Sequence, residues 1–249
     1  EILDFGISLY DSELNLIADS PGVTMFLGAN DYAIEKALEH LDDEPMEPGD
    51  VYLMNYPYWS ATHSQDVVLF APIFQNDGII GYSTCRAHWV DLGAKDPGYV
   101  LDSTDVHQEG VLFPPLKIHK AGDLNEDLLK IIRFNSRLPN VVIGELNAQI
   151  SSLKTGEKRL RELYEKYGYD TVEECLDRII DHGEHRAKDA VRNLPDGSWS
   201  ATDYADGPTE RYGDEPIKRS VEVTIDDDEF FVDFSQSSEE VQMPFNISY

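Results

Sequence analysis

Two apolar runs, "VVLFAPIF" (67–74) and "IIGYSTCRAHWV" (79–90), flank Asn76-Asp77-Gly78, residues that favour a tight chain reversal. They predict an antiparallel hairpin of buried strands, and that hairpin constrains what surrounds it. The start of the first strand must lie beside the end of the second. Counting out from the turn, residues 63 to 66 fall opposite 88 to 91. The chain places His63 and Asp66 in the first group and His88 and Asp91 in the second. Two His-x-x-Asp units therefore meet at one rim. A flat strand would send His63 and Asp66 to opposite sides, so the polar stretch "WSATHSQD" is expected to turn.

Two imidazoles and a carboxylate, with other positions left to water, suit a catalytic divalent metal such as Mn, Fe or Zn. His63, Asp66 and His88 are the expected ligands. Asp91 is expected either to orient a ligating imidazole through its other ring nitrogen or to join as a ligand. Each unit alone is a weak pattern, because a histidine at a strand end is commonly just hydrogen-bonded or exposed. The juxtaposition carries the expectation. His107, His119, His182 and His185 have no matching company and are expected to be structural or exposed.

Other groups complete the candidate site. Glu109, beside Gly110 at the end of a long loop, is a candidate catalytic carboxylate, with a solvated loop acid as the alternative. Arg133, Asn135 and Arg137 in "RFNSRLPN" are candidate substrate-binding residues able to clamp an anion. Helix-end hydrogen bonding accounts for them equally well. Asn55, which opens "NYPYWSATHSQDV", is a further candidate for binding substrate. There is no Gly-x-x-x-x-Gly-Lys-Ser/Thr loop and no dinucleotide fingerprint. If the chemistry needs a nucleotide, another chain must hold it.

The rest of the chain reads as α+β. "FGISLYDSELNLIAD" predicts a hairpin about Asp11-Ser12-Glu13, "NDYAIEKALEHL" a helix capped by Asn30, and "DVYLMN" a short strand. From Asp91 to Gly110 the pattern is loop. "LNEDLLKIIRF" and "VVIGELNAQISSLKTGEKRLRELYEKYG" predict helices, the second stopped by Gly168. A third, "TVEECLDRIIDHGEHRAKDAVRNL", is expected to start at Thr171 with Glu174 completing a capping box. "GSWSATDYA", "KRSVEVTI" and "EFFVDF" then return to strands. Strands, helices and strands in succession imply an antiparallel β-rich region carrying the metal rim (1–122), a helical region (123–194) and a second β region (195–249). The chain opens on Glu1 rather than Met and stops within an apolar run, so it is expected to be the N-terminal part of a longer one.

Charge narrows the partners. The chain has 20 basic and 48 acidic residues, a net charge of −28, which argues against nucleic acid. The acids are spread throughout rather than gathered in one cation loop, which favours a solvated surface adapted to high salt over a calcium site. No run approaches the ~20 apolar residues that cross a bilayer. Cys85 and Cys175 make neither a disulfide framework nor a thiolate metal site, and both are expected to be buried and free. A halophilic cytoplasm fits these features.

Several separated motifs carry a resemblance. "NYPYWSATHSQDV", "RAHWVDLGAKDPG", "EGVLFPPLKI", "NSRLPN" and "GELNAQI" occur in an order similar to the hydantoinase B family, and "DFGISLYDSELNLIADSPGVTMFLGA" resembles its N-terminal hairpin region. That family is related to the acetone carboxylase alpha subunit and the C-terminal part of 5-oxoprolinase. The resemblance implies the B subunit of an N-methylhydantoinase-like, ATP-dependent, ring-opening amidohydrolase. Its substrates would be hydantoin-like or 5-oxoproline-like cyclic amides. It implies a hetero-oligomer in which a hydantoinase A-like subunit binds ATP and activates the carbonyl, attacked by a metal-bound water or hydroxide. The family's metal ligands fall on His63, Asp66 and His88. The family tends to carry Asp where Tyr56 stands, glycines at Trp59, Ser60 and Ala61, His at Trp89 and Gly at Ala94. An acetone-carboxylase-like alpha subunit and a catalytically silent scaffold are the alternatives.

Overall fold

A computed structural model of the chain describes residues 4–20, 22–23, 26, 28–41, 45–60, 62–76, 78–98, 100–206, 216–241, 243–244 and 246. Ala61 and Asp77, named above, lie outside the described residues. The chain divides into one compact unit up to Leu176 and a second, Asp177–Asn246. The described elements are mixed α and β, as expected.

The first unit is built on a seven-stranded sheet in the order β2-β1-β5-β4-β3-β6-β7. Its strands are β1 (Phe5–Tyr10), β2 (Leu16–Asp19), β3 (Val51–Met54), β4 (Asp66–Gln75), β5 (Gly78–His88), β6 (Leu116–Lys120) and β7 (Asp123–Leu124). Each paired strand runs antiparallel to its neighbour. The predicted hairpin, β4 with β5, lies at the centre, and Val67 to Phe70 are fully buried. Central position explains its sequence: both faces are covered, so the run is apolar rather than alternating. β6, β7 and the short helix α2 (Pro57–Ser60) are too brief to give a periodic signal, and the sequence reading did not find them.

Helices cover both faces. α1 (Asn30–His40) brings Ala33, Ile34 and Ala37 against Tyr10, Tyr52, Met54, Val68, Phe70 and Tyr82. On the other face α3 (Glu126–Phe134) and α4 (Pro139–Tyr167) pack Leu128, Ile132, Val142, Leu146, Ile150 and Leu153 against Leu53, Val67, Leu69 and Cys85. The N-terminal turn is wider than expected. Asp11 gathers the backbone N–H of Glu13 and Asn15 on one carboxylate oxygen. α3 is capped by Asn125, whose side chain accepts from the Leu128 N–H.

Two helix starts differ from expectation. Asn30 is not the cap of α1, a position held by Ala29 without a side-chain bond. It is the first helical residue, fully buried, and its amide is drawn sideways to Ser8 and Arg86. The helix after Gly168, α5 (Tyr169–Arg192), begins before Thr171, so no capping box forms there; the Gly168 N–H closes onto Tyr164 instead. Cys85 is buried, but Cys175 on α5 is exposed, contrary to the expectation of two buried thiols. The second unit carries the rest of α5 and a three-stranded sheet of β8 (Gly197–Ala205), β9 (Ile217–Asp226) and β10 (Glu229–Asp233), in the order β10-β9-β8. No described helix is long and apolar enough to cross a membrane.

α4 packs tightly against the sheet at Gly156. A Cβ there would stand 2.6 Å from Ser83 Oγ and 2.8 Å from Leu9 Cδ2. Gly144, in the same helix, meets nothing within 4 Å. Ala is favoured over Gly inside a helix by about 1 kcal/mol, whereas overpacking costs about 1–3 kcal/mol. Gly144→Ala is therefore expected to raise the midpoint of urea unfolding and Gly156→Ala to lower it; equal shifts would refute the close contact.

Candidate metal centre

The register of β4 with β5 places the candidate ligands. The hairpin closes at Gln75 opposite Gly78, a two-residue reversal in which Asn76 has φ +54°. Continued without a break, that register would set Asp66 against Ala87. A bulge intervenes: Phe74 pairs with Ile79 and Ile73 with Gly81, leaving Ile80 unpaired. The extra residue shifts the pairing by one, and Asp66 lies opposite His88. Directly opposed residues share a face, so the bulge turns His88 and Asp66 to the same side. His63 reaches them from the turn before β4, where the Asp66 N–H bonds the His63 carbonyl.

The three side chains converge. His88 Nδ1 is 3.3 Å and His63 Nε2 3.7 Å from the same oxygen, Asp66 Oδ1. The imidazoles meet edge to face with centroids 5.0 Å apart. One ligand atom from each residue lies within 4.8 Å of the others, the only such group of three among the described residues. Asp66 is nearly buried and both histidines are partly covered. This donor set can hold a divalent metal.

The surroundings differentiate the imidazoles. The hydrogen bond to Asp66 holds His88 above the usual imidazole range against the opposing effect of burial. Burial pushes His63 down, Asp66 pulls it back only in part, and a charged His88 lowers it further. Asp4 favours the charged form of both rings, and its backbone carbonyl accepts from the His88 backbone N–H. Glu109 acts on His63 and Glu145 on His88 in the same sense. Burial pushes the Glu145 carboxyl up, offset by the Val90 N–H and by His88. Glu145 lies in "GELNAQI" on α4, and neither it nor Asp4 was identified from sequence, because a single acid on a helix face or strand end carries no pattern.

The other expected site residues lie in structural contacts. Asp91 faces the α3–α4 junction: Oδ1 accepts from Arg137 Nη1 at 2.9 Å and from the Gly93 N–H at 3.1 Å, while Oδ2 accepts from Ser136 and the Arg137 N–H. The orienting bond to an imidazole expected of Asp91 is replaced by this ion pair. Arg137 also donates to the Ala94 and Lys95 carbonyls, so it clamps a loop of its own chain. Asn135 closes the end of α3 onto Ile131, and Arg133 is exposed beside it. Asn55 is fully buried and uses its whole amide internally, donating to the Ser64 and Val111 carbonyls and accepting from the Phe113 N–H. Glu109 adds a negative charge that favours the charged form of His63. Its carbonyl accepts from Ser64 and Gln65, and its carboxylate from Ser103.

The altered rim residues separate in the same way. Trp89 is fully buried and donates its indole N–H to Gln149 of α4, whose amide in turn donates to the Val67 and Cys85 carbonyls. The Trp59 ring stacks on His40 at 3.9 Å and meets Tyr56 edge-on at 4.8 Å. It packs against the core beneath α1.

In the metal-free protein, His88 is expected to titrate above and His63 below an unperturbed imidazole near ~6.5. The linkage signs are opposite. His88 contributes stability present below its unfolded pKa and lost as pH rises through its folded value, whereas His63 costs stability on acidification because the fold resists charging it. Ring-proton NMR titration checks this, and Asp66→Asn should bring His88 down; coincident titrations would contradict the arrangement.

The chain is similar to known proteins over most of its length. The chain is 34% identical to an uncharacterized protein of Methanocaldococcus jannaschii over 99% of its own length and 43% of that protein's. It is 28% identical to a 5-oxoprolinase of Dictyostelium discoideum, covering 83% of this chain and 17% of that one. The crystal structure of the ATP-dependent caprolactamase from Pseudomonas jessenii superposes with a TM-score of 0.84 at 27% identity, covering 92% of this chain and 39% of that chain. The chain thus spans less than half the length of each. The sequence model of the Hydantoinase B/oxoprolinase family matches residues 1–249, and the chain belongs to that family.

Proposed function

We propose that the chain is part of the B-type subunit of an ATP-dependent, ring-opening amidohydrolase acting on hydantoin-like or 5-oxoproline-like cyclic amides. The observation that carries the reading is the convergence of His63, Asp66 and His88 within 4.8 Å in a chain of the Hydantoinase B/oxoprolinase family. The names of the similar 5-oxoprolinase and caprolactamase support a cyclic amide and the use of ATP. With no nucleotide loop in the sequence, ATP would bind a separate hydantoinase A-like subunit in a hetero-oligomer.

The chemistry explains the division. A cyclic amide resists attack because resonance stabilises it as it does a peptide bond. Activation of its oxygen by ATP on the partner removes that protection, leaving an electrophilic carbon for water. A divalent ion held by His63, Asp66 and His88 (Mn, Fe or Zn) would supply Lewis acidity and lower the pKa of water. The residues fit the role: burial favours neutral, ligating His63, and Asp66 presents one oxygen to both rings. Glu109 is the carboxylate we assign to proton transfer at the edge of the trio.

The test is a metal count on the full-length subunit after dialysis in high salt with a weak chelator, since a chain of charge −28 collects divalent ions loosely at low salt. Wild type should retain metal and His88→Ala should lose it; equal retention would remove the centre of the proposal. Acidification should release the metal as His88 and then His63 take protons. With the partner present, ATP consumption should depend on a cyclic amide and fall in His88→Ala.

A further inference from the structure

Arg86 carries a charge at the centre of the sheet, two residues before His88, and is fully buried. A buried guanidinium is retained only when its donors are satisfied. Here Nε donates to Asn30 Oδ1 at 2.9 Å, Nη2 to the Ala29 carbonyl at 2.8 Å, and Nη1 to both the Ser60 carbonyl and Thr62 Oγ1 at 2.5 Å. These acceptors are neutral and belong to two segments: the start of α1 and the stretch that leads directly into His63. Arg86 and His88 occupy alternate positions of β5, opposite Val68 and Asp66, so they share a face. Burial lowers the guanidinium's pKa to about 10, and the nearby negative charge of Asp66 opposes that shift. Ser60 and Thr62 are thereby both tied to β5 by one side chain.

We propose that Arg86 is the positioning residue of the trio: its guanidinium fixes the segment carrying His63 against the strand carrying His88, setting the separation of the two imidazoles. This rests on the metal reading above for its consequence, but not for its geometry. Without the fork, His88 and Asp66 stay in register through the β4–β5 ladder, while His63 keeps only the bonds on its C-terminal side, from the Asp66 N–H to its own carbonyl and from Asn55 to the Ser64 carbonyl. A lysine cannot replace it, because an ammonium offers no planar fork to reach both segments.

The experiment compares wild type, Arg86→Met, Arg86→Lys, Thr62→Val and, as a control for lost stability, Leu160→Ala in a separate part of the core. Two readouts are taken on the full-length subunit: the ring-to-ring nuclear Overhauser contact of His63 with His88 in metal-free protein, and the affinity for Co²⁺ with its visible spectrum. Arg86→Met and Arg86→Lys should lose the ring contact and bind Co²⁺ about 10- to 100-fold more weakly, as for other groups that orient metal ligands. Thr62→Val should move the same way by less, and it carries the test if the Arg86 variants do not fold. Leu160→Ala should keep both at a lower melting temperature. Retention of contact and affinity in the folded Arg86 variants, or in Thr62→Val where they do not fold, overturns the proposal. So does absence of the contact in wild type or an equal loss in Leu160→Ala. If wild type takes up no Co²⁺, the metal reading fails, and the ring contact alone decides whether Arg86 positions His63.

Discussion

The antiparallel pairing of β4 with β5 is the interaction on which the rest of the structure depends. It is the central ladder of the seven-stranded sheet, and both helical layers are laid on the apolar side chains that it presents. A strand's side chains alternate with period two, so a slip of one residue would send His88 to the face opposite Asp66. The bulge at Ile80 settles that parity. A single unpaired residue at the turn end of the hairpin thus decides which side chains meet at the far end, seven paired positions away from the Ile73–Gly81 pair.

The two sides of the sheet then divide the work. One face, beneath α1, carries Asp66, Arg86 and His88. Polar groups there are buried at a cost that must be recovered by hydrogen bonding, and Arg86 recovers it from Asn30, Ala29, Ser60 and Thr62. The other side is tied to α4 through Trp89 and Gln149, and the loop after β5 is tied to the α3–α4 junction through Asp91 and Arg137. Trp89 therefore bears on helix packing, while the trio lies on the side of the preceding residue, His88.

Much of this could be read in advance, for a physical reason. The central hairpin was legible because strands covered on both faces must be apolar without interruption, and α4 because its amphipathic period persists over 29 residues. Antiparallel pairing was enough to bring the segments of His63, Asp66 and His88 to one rim, but not to set the face on which their side chains meet. Asn30 and Thr171 misled because capping residues are recognised by local pattern. Asn30 was claimed by Arg86 across the sheet, and α5 had already begun at Tyr169. Asp91 misled for a similar reason: its spacing from His88 copies that of Asp66 from His63, but past the end of β5 the chain no longer alternates, and the nearest cation is Arg137.

The sequence by itself determined the α+β order of elements, the central hairpin and the segments brought to its rim, since these depend on periodicity and on chain distance from a turn. Only the tertiary structure decided that Arg86 braces the segment before His63, that Asp91 and Asn55 serve the scaffold, and that Asp4, Glu109 and Glu145 bias the imidazoles. Those roles rest on which buried donor finds which acceptor across distant segments, and a hydrogen bond between residues tens of positions apart leaves no periodic trace in the chain.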